Sequence, residues 1–114
     1  TLISVVLFFL LGTRAVHAKF SVQTPVFTQC GLARFSWDQT KGPYNVIIVN
    51  QTDPCGEEVT DLGDHNSTSL SWNVTLPSSW NVVISVEDAQ GEEAWSGPIT
   101  VQPSNNASCL STNN

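Results

Sequence analysis

The sequence is short of positive charge. Four Lys and Arg stand against ten Asp and Glu, for a formal net charge of −6. Beyond residue 18 only Lys19, Arg34 and Lys41 remain as cations. Such a balance cannot neutralise a phosphate backbone, so nucleic acid and anionic membrane surfaces are poor partners. Histidine is scarce too, with two residues, and there is no metal-spaced His cluster, CxxC pair, Ser/His/Asp set or phosphate-cradling glycine loop. No cofactor is therefore expected. After the first segment no apolar run reaches membrane length, and 114 residues leave room for one domain without a second core.

A starting Met and a basic leading stretch are also missing. What stands there is an apolar run at 2–11, "LISVVLFFLL", too short to span a bilayer, followed by "VHA" at 16–18 with small residues where a signal peptidase cuts. Residues 1–18 read as a signal peptide whose beginning is missing, so the mature piece is expected to start at Lys19. The polar end, "SNNASCLSTNN", makes 110–114 a tail or the first residues of a Ser/Thr-rich stalk after a domain at 19–109. Contact with a membrane is expected only through an anchor beyond Asn114. Four N-x-S/T sequons, at Asn50, Asn66, Asn73 and Asn106, fit a secreted, extracellular glycoprotein.

Period-two alternation recurs along the rest of the chain, with no helical stripe. It predicts strands over 20–26, 32–37, 44–50, 57–62, 69–76, 81–87 and 98–102. In "SLSWNVTL", Leu70, Trp72, Val74 and Leu76 share one face while Ser69, Ser71, Asn73 and Thr75 share the other. Val82, Ile84 and Val86 alternate in the same way with Val83, Ser85 and Glu87, and Ala33, Phe35 and Trp37 with Arg34 and Ser36. Reversals fall at "TKGP" (40–43), "TDPCG" (52–56), "LGDHN" (62–66), "LPSS" (76–79), "AQGE" (89–92) and "QPSNN" (102–106). About seven short strands at this spacing predict an all-β, immunoglobulin-like antiparallel sandwich, with a barrel as the alternative. If successive strands alternate in direction, Cys30, Cys55 and Cys109 gather at one pole of the sandwich.

Several segments, in order, resemble a known group: "FSVQTP" at 20–25, "TQC" at 28–30, "FSW" at 35–37, "GPYNVIIV" at 42–49, "SLSWNVTLP" at 69–77, "VEDAQG" at 86–91, "ITVQPS" at 99–104 and "SCL" at 108–110. They resemble small secreted proteins of basidiomycete fungi, which are similar in turn to the N-terminal domain of the Ser/Thr-rich, GPI-anchored fungal proteins linked to cell-wall β-glucan assembly. The resemblance implies an extracellular Ig-like module, often followed by a Ser/Thr-rich tail with an anchor. It also implies a disulfide between Cys30 and Cys109, the cysteines of "TQC" and "SCL". Parity leaves Cys30–Cys55 open as a competing pair, with one odd thiol in either case.

Two features are candidates for contact. Trp80 lies in a polar turn, where an exposed indole can stack on the apolar face of a pyranose; Trp37 and Trp72 fall on inward faces, and Trp95 is ambiguous because Gly97-Pro98 interrupts the alternation. The stretch "SVEDAQGEEAWSG" at 85–97 crowds four carboxylates around Gly91 and reads as an exposed hairpin tip. Parity places Asp38, Asp64, Asp88, Glu92 and Glu93 at the pole opposite the cysteines, with Asp64, Glu92 and Glu93 as candidates for a calcium ion or a cationic partner. The function expected is non-catalytic contact with cell-wall glycan or an extracellular protein at the fungal surface. The alternatives are a glucan-processing enzyme, which needs two carboxylates roughly 5–9.5 Å apart in a cleft, and a secreted effector or inhibitor that binds a foreign protein through its loops.

Overall fold

The computed structural model describes residues 20–110. The signal peptide expected over 1–18, the start at Lys19 and most of the polar tail lie outside the described residues. Within them the chain forms seven strands in two sheets: β1 (Leu32–Ser36), β2 (Tyr44–Asn50), β3 (Glu58–His65), β4 (Ser69–Asn73), β5 (Asn81–Glu87), β6 (Glu93–Trp95) and β7 (Ile99–Thr100). β1 and β4 pair antiparallel in the smaller sheet. The larger runs β3-β2-β5-β6, with β7 also on β5. Its pairings are antiparallel throughout. This is an all-β, Ig-like sandwich.

The core follows from the alternation. Phe35, Val46, Ile48, Val74, Val82, Ile84 and Val86 are all buried between the sheets. Four aromatic contacts run through it: Phe27 meets Phe35 at 6.4 Å and Trp72 edge-on at 5.2 Å, and Trp37 meets Phe35 at 6.1 Å and Tyr44 edge-on at 5.7 Å. Tilted and edge-to-face rings bring the positive rim of one π-system to the negative face of another. The central strand β5 is buried on its outward positions as well, since Val83 and Ser85 are covered, and Ser96 Oγ accepts the backbone N–H of Ile84 at 2.9 Å.

Four strand predictions need correction. No regular strand forms over 20–26. Val22 makes an isolated bridge to Trp37, and Gln23 donates its N–H to Ser36. Pro25 then removes a donor, and the alternation slips, with Val26 exposed and Phe27 buried. The strand predicted at 57–62 runs on to His65, through the supposed turn "LGDHN". The register shifts twice along β2–β3, and the extra residues Leu62 and Val59 pack on the core. Gly63, at φ +85°, supplies the left-handed backbone one irregularity requires. The strand predicted at 69–76 ends at Asn73, although Val74 and Leu76 keep their inward positions. The strand predicted at 98–102 is reduced to β7, and a further short strand, β6, forms ahead of it in the stretch read as a hairpin tip, the two parted by Ser96, Gly97 and Pro98.

Candidate functional site

Cys30 and Cys109 form a disulfide across 79 residues, with Cα atoms 5.4 Å apart. Cys55 is a free, exposed thiol, which removes the Cys30–Cys55 alternative. The bridge ties the chain's far end to the turn before β1. That turn also holds the 77–80 loop, because Gln29 Oε1 accepts the Ser78 N–H at 3.0 Å. Ser79 donates to the carbonyl of Val101 at 2.8 Å with φ +79°, and Trp80 accepts from the N–H of Val101 at 2.9 Å. A non-glycine residue at positive φ is held there by its surroundings against an energetic cost. Trp80 is thus fixed at the backbone on both sides while the residue stays 44% exposed.

The indole borders an open cleft of ≈ 350 Å³ lined by Asn50, Thr52 and Asn81. An adjoining concavity shares Asn50, Thr52 and Trp80 and continues over Asp53, Glu57, Glu58 and Val59. Two strand ends make the site: Gln51 follows β2 and donates its N–H to the carbonyl of Asn81, the first residue of β5, at 3.0 Å. The amide side chain of Asn50 is set by Thr52, whose N–H and hydroxyl donate to Asn50 Oδ1 at 2.9 and 2.8 Å. Asn81 Oδ1 accepts from the Thr100 hydroxyl at 2.6 Å. Flat apolar surface beside oriented amides and hydroxyls is the chemistry that holds a sugar, one face stacked and its hydroxyls hydrogen-bonded. The sequence singles out Trp80 but not its neighbours: it marks Asn50 as a glycosylation acceptor alone, and the pairing of Gln51 with Asn81 is not encoded in any local pattern.

The acidic candidates do not form one site. Asn45 pairs with Asp64 on β3 and with Glu87 on β5, and Glu87 pairs with Glu93 on β6. Three interstrand steps therefore separate Asp64 from Glu93, roughly 14 Å at the usual strand spacing, too far to share an ion. Among the described residues no group of three or more His, Cys, Asp and Glu side chains is placed to hold a metal. Asp64 Oδ1 instead accepts from the Asn45 amide at 3.0 Å, and Asp38 Oδ2 from the N–H of Ser21 at 3.0 Å.

Asp88 is a structural acid. Its Oδ1 accepts the N–H groups of Gln90 and Glu92, each at 2.9 Å, and so closes the turn around Gly91, where φ is +83°. Burial pushes its carboxyl up, but the Thr40 hydroxyl and the backbone N–H groups of Glu92, Gln90 and Lys41 outweigh that and hold it below the ordinary Asp value. The Thr40 hydroxyl acts on the carboxylate from beyond hydrogen-bond distance, since it and Asp88 Oδ2 each make no hydrogen bond, and the two bonds on Oδ1 are the firm contacts. Of the remaining candidates, Asn66, Asn73, Asn106 and Trp95 are exposed, whereas Trp37 is buried and Trp72 packs half-buried on the core.

No family model matches the chain, and neither does any curated protein. Among solved structures it is similar to an Fn3-like protein from Clostridium thermocellum, at 16% identity and a TM-score of 0.45, over 75% of this chain and 93% of that one. It is also similar to the CbhA fibronectin(III)-like modules of Clostridium thermocellum, at 12% identity and a TM-score of 0.46, over 75% of this chain and 92% of the other. The likeness is one of strand arrangement alone.

Proposed function

We propose that the chain is a secreted, glycosylated, non-catalytic Ig-like module that acts at a fungal cell surface or wall by holding glycan at the Trp80 cleft. The observation that carries this is the exposed Trp80, fixed by backbone bonds on both sides and lining one cleft with Asn50, Thr52 and Asn81. A wall polymer offers many equivalent pyranose faces, so one shallow contact per module suffices when modules are dense on a surface. Retention of the full chain, made without N-glycans, on insoluble β-glucan or chitin tests it. Retention that Trp80→Ala abolishes is expected; a wild type that no wall fraction retains overturns the proposal.

The enzymatic alternative has one observation in its favour, that Asp53, Glu57 and Glu58 line the adjoining concavity. All three are exposed. Glycoside hydrolysis calls for two carboxylates flanking a sugar in an enclosed cleft, and these three side chains lie on an open surface. Release of reducing sugar from β-glucan, lost in Glu58→Gln, would establish the enzyme instead.

A further inference from the structure

The cleft that presents Trp80 also presents a glycosylation acceptor. Asn50 is the last residue of β2, is exposed, and lines the same cleft as the indole. Thr52 engages Oδ1 twice, which orients the amide, while Nδ2 makes no hydrogen bond among the described residues. The bond from Gln51 to Asn81 keeps the two strand ends together, so a group attached at Asn50 starts out beside Trp80. Asn66, Asn73 and Asn106, the other sequon residues, do not line this cleft.

We propose that an N-linked glycan on Asn50 folds back and lays its first N-acetylglucosamine on the Trp80 indole, closing the cleft from within. Attachment joins Nδ2 to C1 of the sugar and breaks the bond from C1 to a polyprenyl-pyrophosphate carrier. The pyrophosphate leaves with the electron pair, and Nδ2 gives up one proton. A single sugar–indole contact is weak between free molecules, but a short tether raises the effective concentration to the millimolar range. The attached sugar therefore competes with any soluble or polymeric ligand. On the reading of Trp80 as a glycan contact, occupancy at Asn50 regulates binding: chains carrying the glycan are closed, and chains without it are open.

Oxidative footprinting of the secreted full chain tests this, with Trp95 as a control in the same molecule. Trp80 and Trp95 are 44% and 40% exposed, so their oxidation rates should be similar when the cleft is empty. Three forms are compared: intact, trimmed by an endoglycosidase to one N-acetylglucosamine, and stripped by an amidase after folding. Glycopeptide mapping should find Asn50 occupied, and Trp80 should be oxidised severalfold more slowly than Trp95 in the intact and trimmed forms only. An unoccupied Asn50, or one oxidation ratio across all three forms, overturns the proposal. Retention on wall polysaccharide is read separately: protection of Trp80 with no form retained supports the internal contact while removing external glycan binding. Stronger retention of the stripped form supports both.

Discussion

The carboxylate of Asp88 accepts the backbone N–H of Glu92 at 2.9 Å, and with the bond from Gln90 this turns the most acidic stretch of the chain into a tight hairpin. Asp88→Ala should lower the denaturation midpoint, whereas Glu93→Gln, on an exposed position of β6, should leave it unchanged. The pH dependence has a definite sign. Because the folded carboxyl lies below its ordinary value, its contribution is fully present above the unfolded Asp value, near 3.9, and is lost as pH falls through the folded one. Denaturant titrations from pH 6 downward should show the wild-type advantage over Asp88→Asn shrinking below about pH 4.

The disulfide and the free thiol should separate cleanly. Replacing both Cys30 and Cys109 by Ser opens a closed loop of 79 residues, which a chain-entropy estimate values at about 4 kcal/mol. Cys55→Ser, in an exposed turn, should change stability by no more than about 0.5 kcal/mol. Urea unfolding of the two variants beside the wild type measures both.

The segment before β1 contributes packing rather than a strand. Phe27 is fully buried against Phe35 and Trp72, and Phe27→Ala should cost about 3–5 kcal/mol. Val26→Ala, at 73% exposure one residue away, should be nearly silent. Equal losses for the two would contradict this account of the segment.

Gly63 separates backbone strain from crowding. It sits at φ +85° with no atom within 4 Å of the position a Cβ would take. Gly63→Ala should therefore cost about 1–2 kcal/mol from backbone conformation alone. A neutral result in thermal unfolding would mean that β3 relaxes its irregular register.

Much of this was legible from alternation. β2 and β5 occupy the predicted 44–50 and 81–87, and β1 differs from its prediction by one residue. Those strands turn alternate residues into the core between the sheets, so a period of two survives in their sequences, even where Val83 and Ser85 of β5 are covered on the outer side as well. Where it failed, a second requirement had entered. Gly63, Asp64 and Asn66 carry turn residues, yet the glycine serves an irregularity inside a strand that continues to His65. Phe20, Val22 and Phe27 are all buried, but the shift after Pro25 breaks the ladder that alternation assumes. The Trp80 cleft was half legible. An aromatic residue in a polar turn stood out, whereas its neighbours Asn50 and Thr52 come from the end of another strand. Their proximity is a property of the β2–β5 register. The acidic residues Asp64 and Glu93 do fall in one row across the sheet, but three strand steps apart, so sharing an end does not make them converge on one ion.

The most direct test of the contact function is retention of chains made without N-glycans on insoluble β-glucan and chitin, comparing wild type, Trp80→Ala and Trp95→Ala. Both substitutions remove an indole of similar exposure, and only one belongs to the cleft. The account predicts that wild type and Trp95→Ala are retained on one of these polymers and Trp80→Ala is not. Equal retention of all three, or retention of none on either polymer, would contradict it.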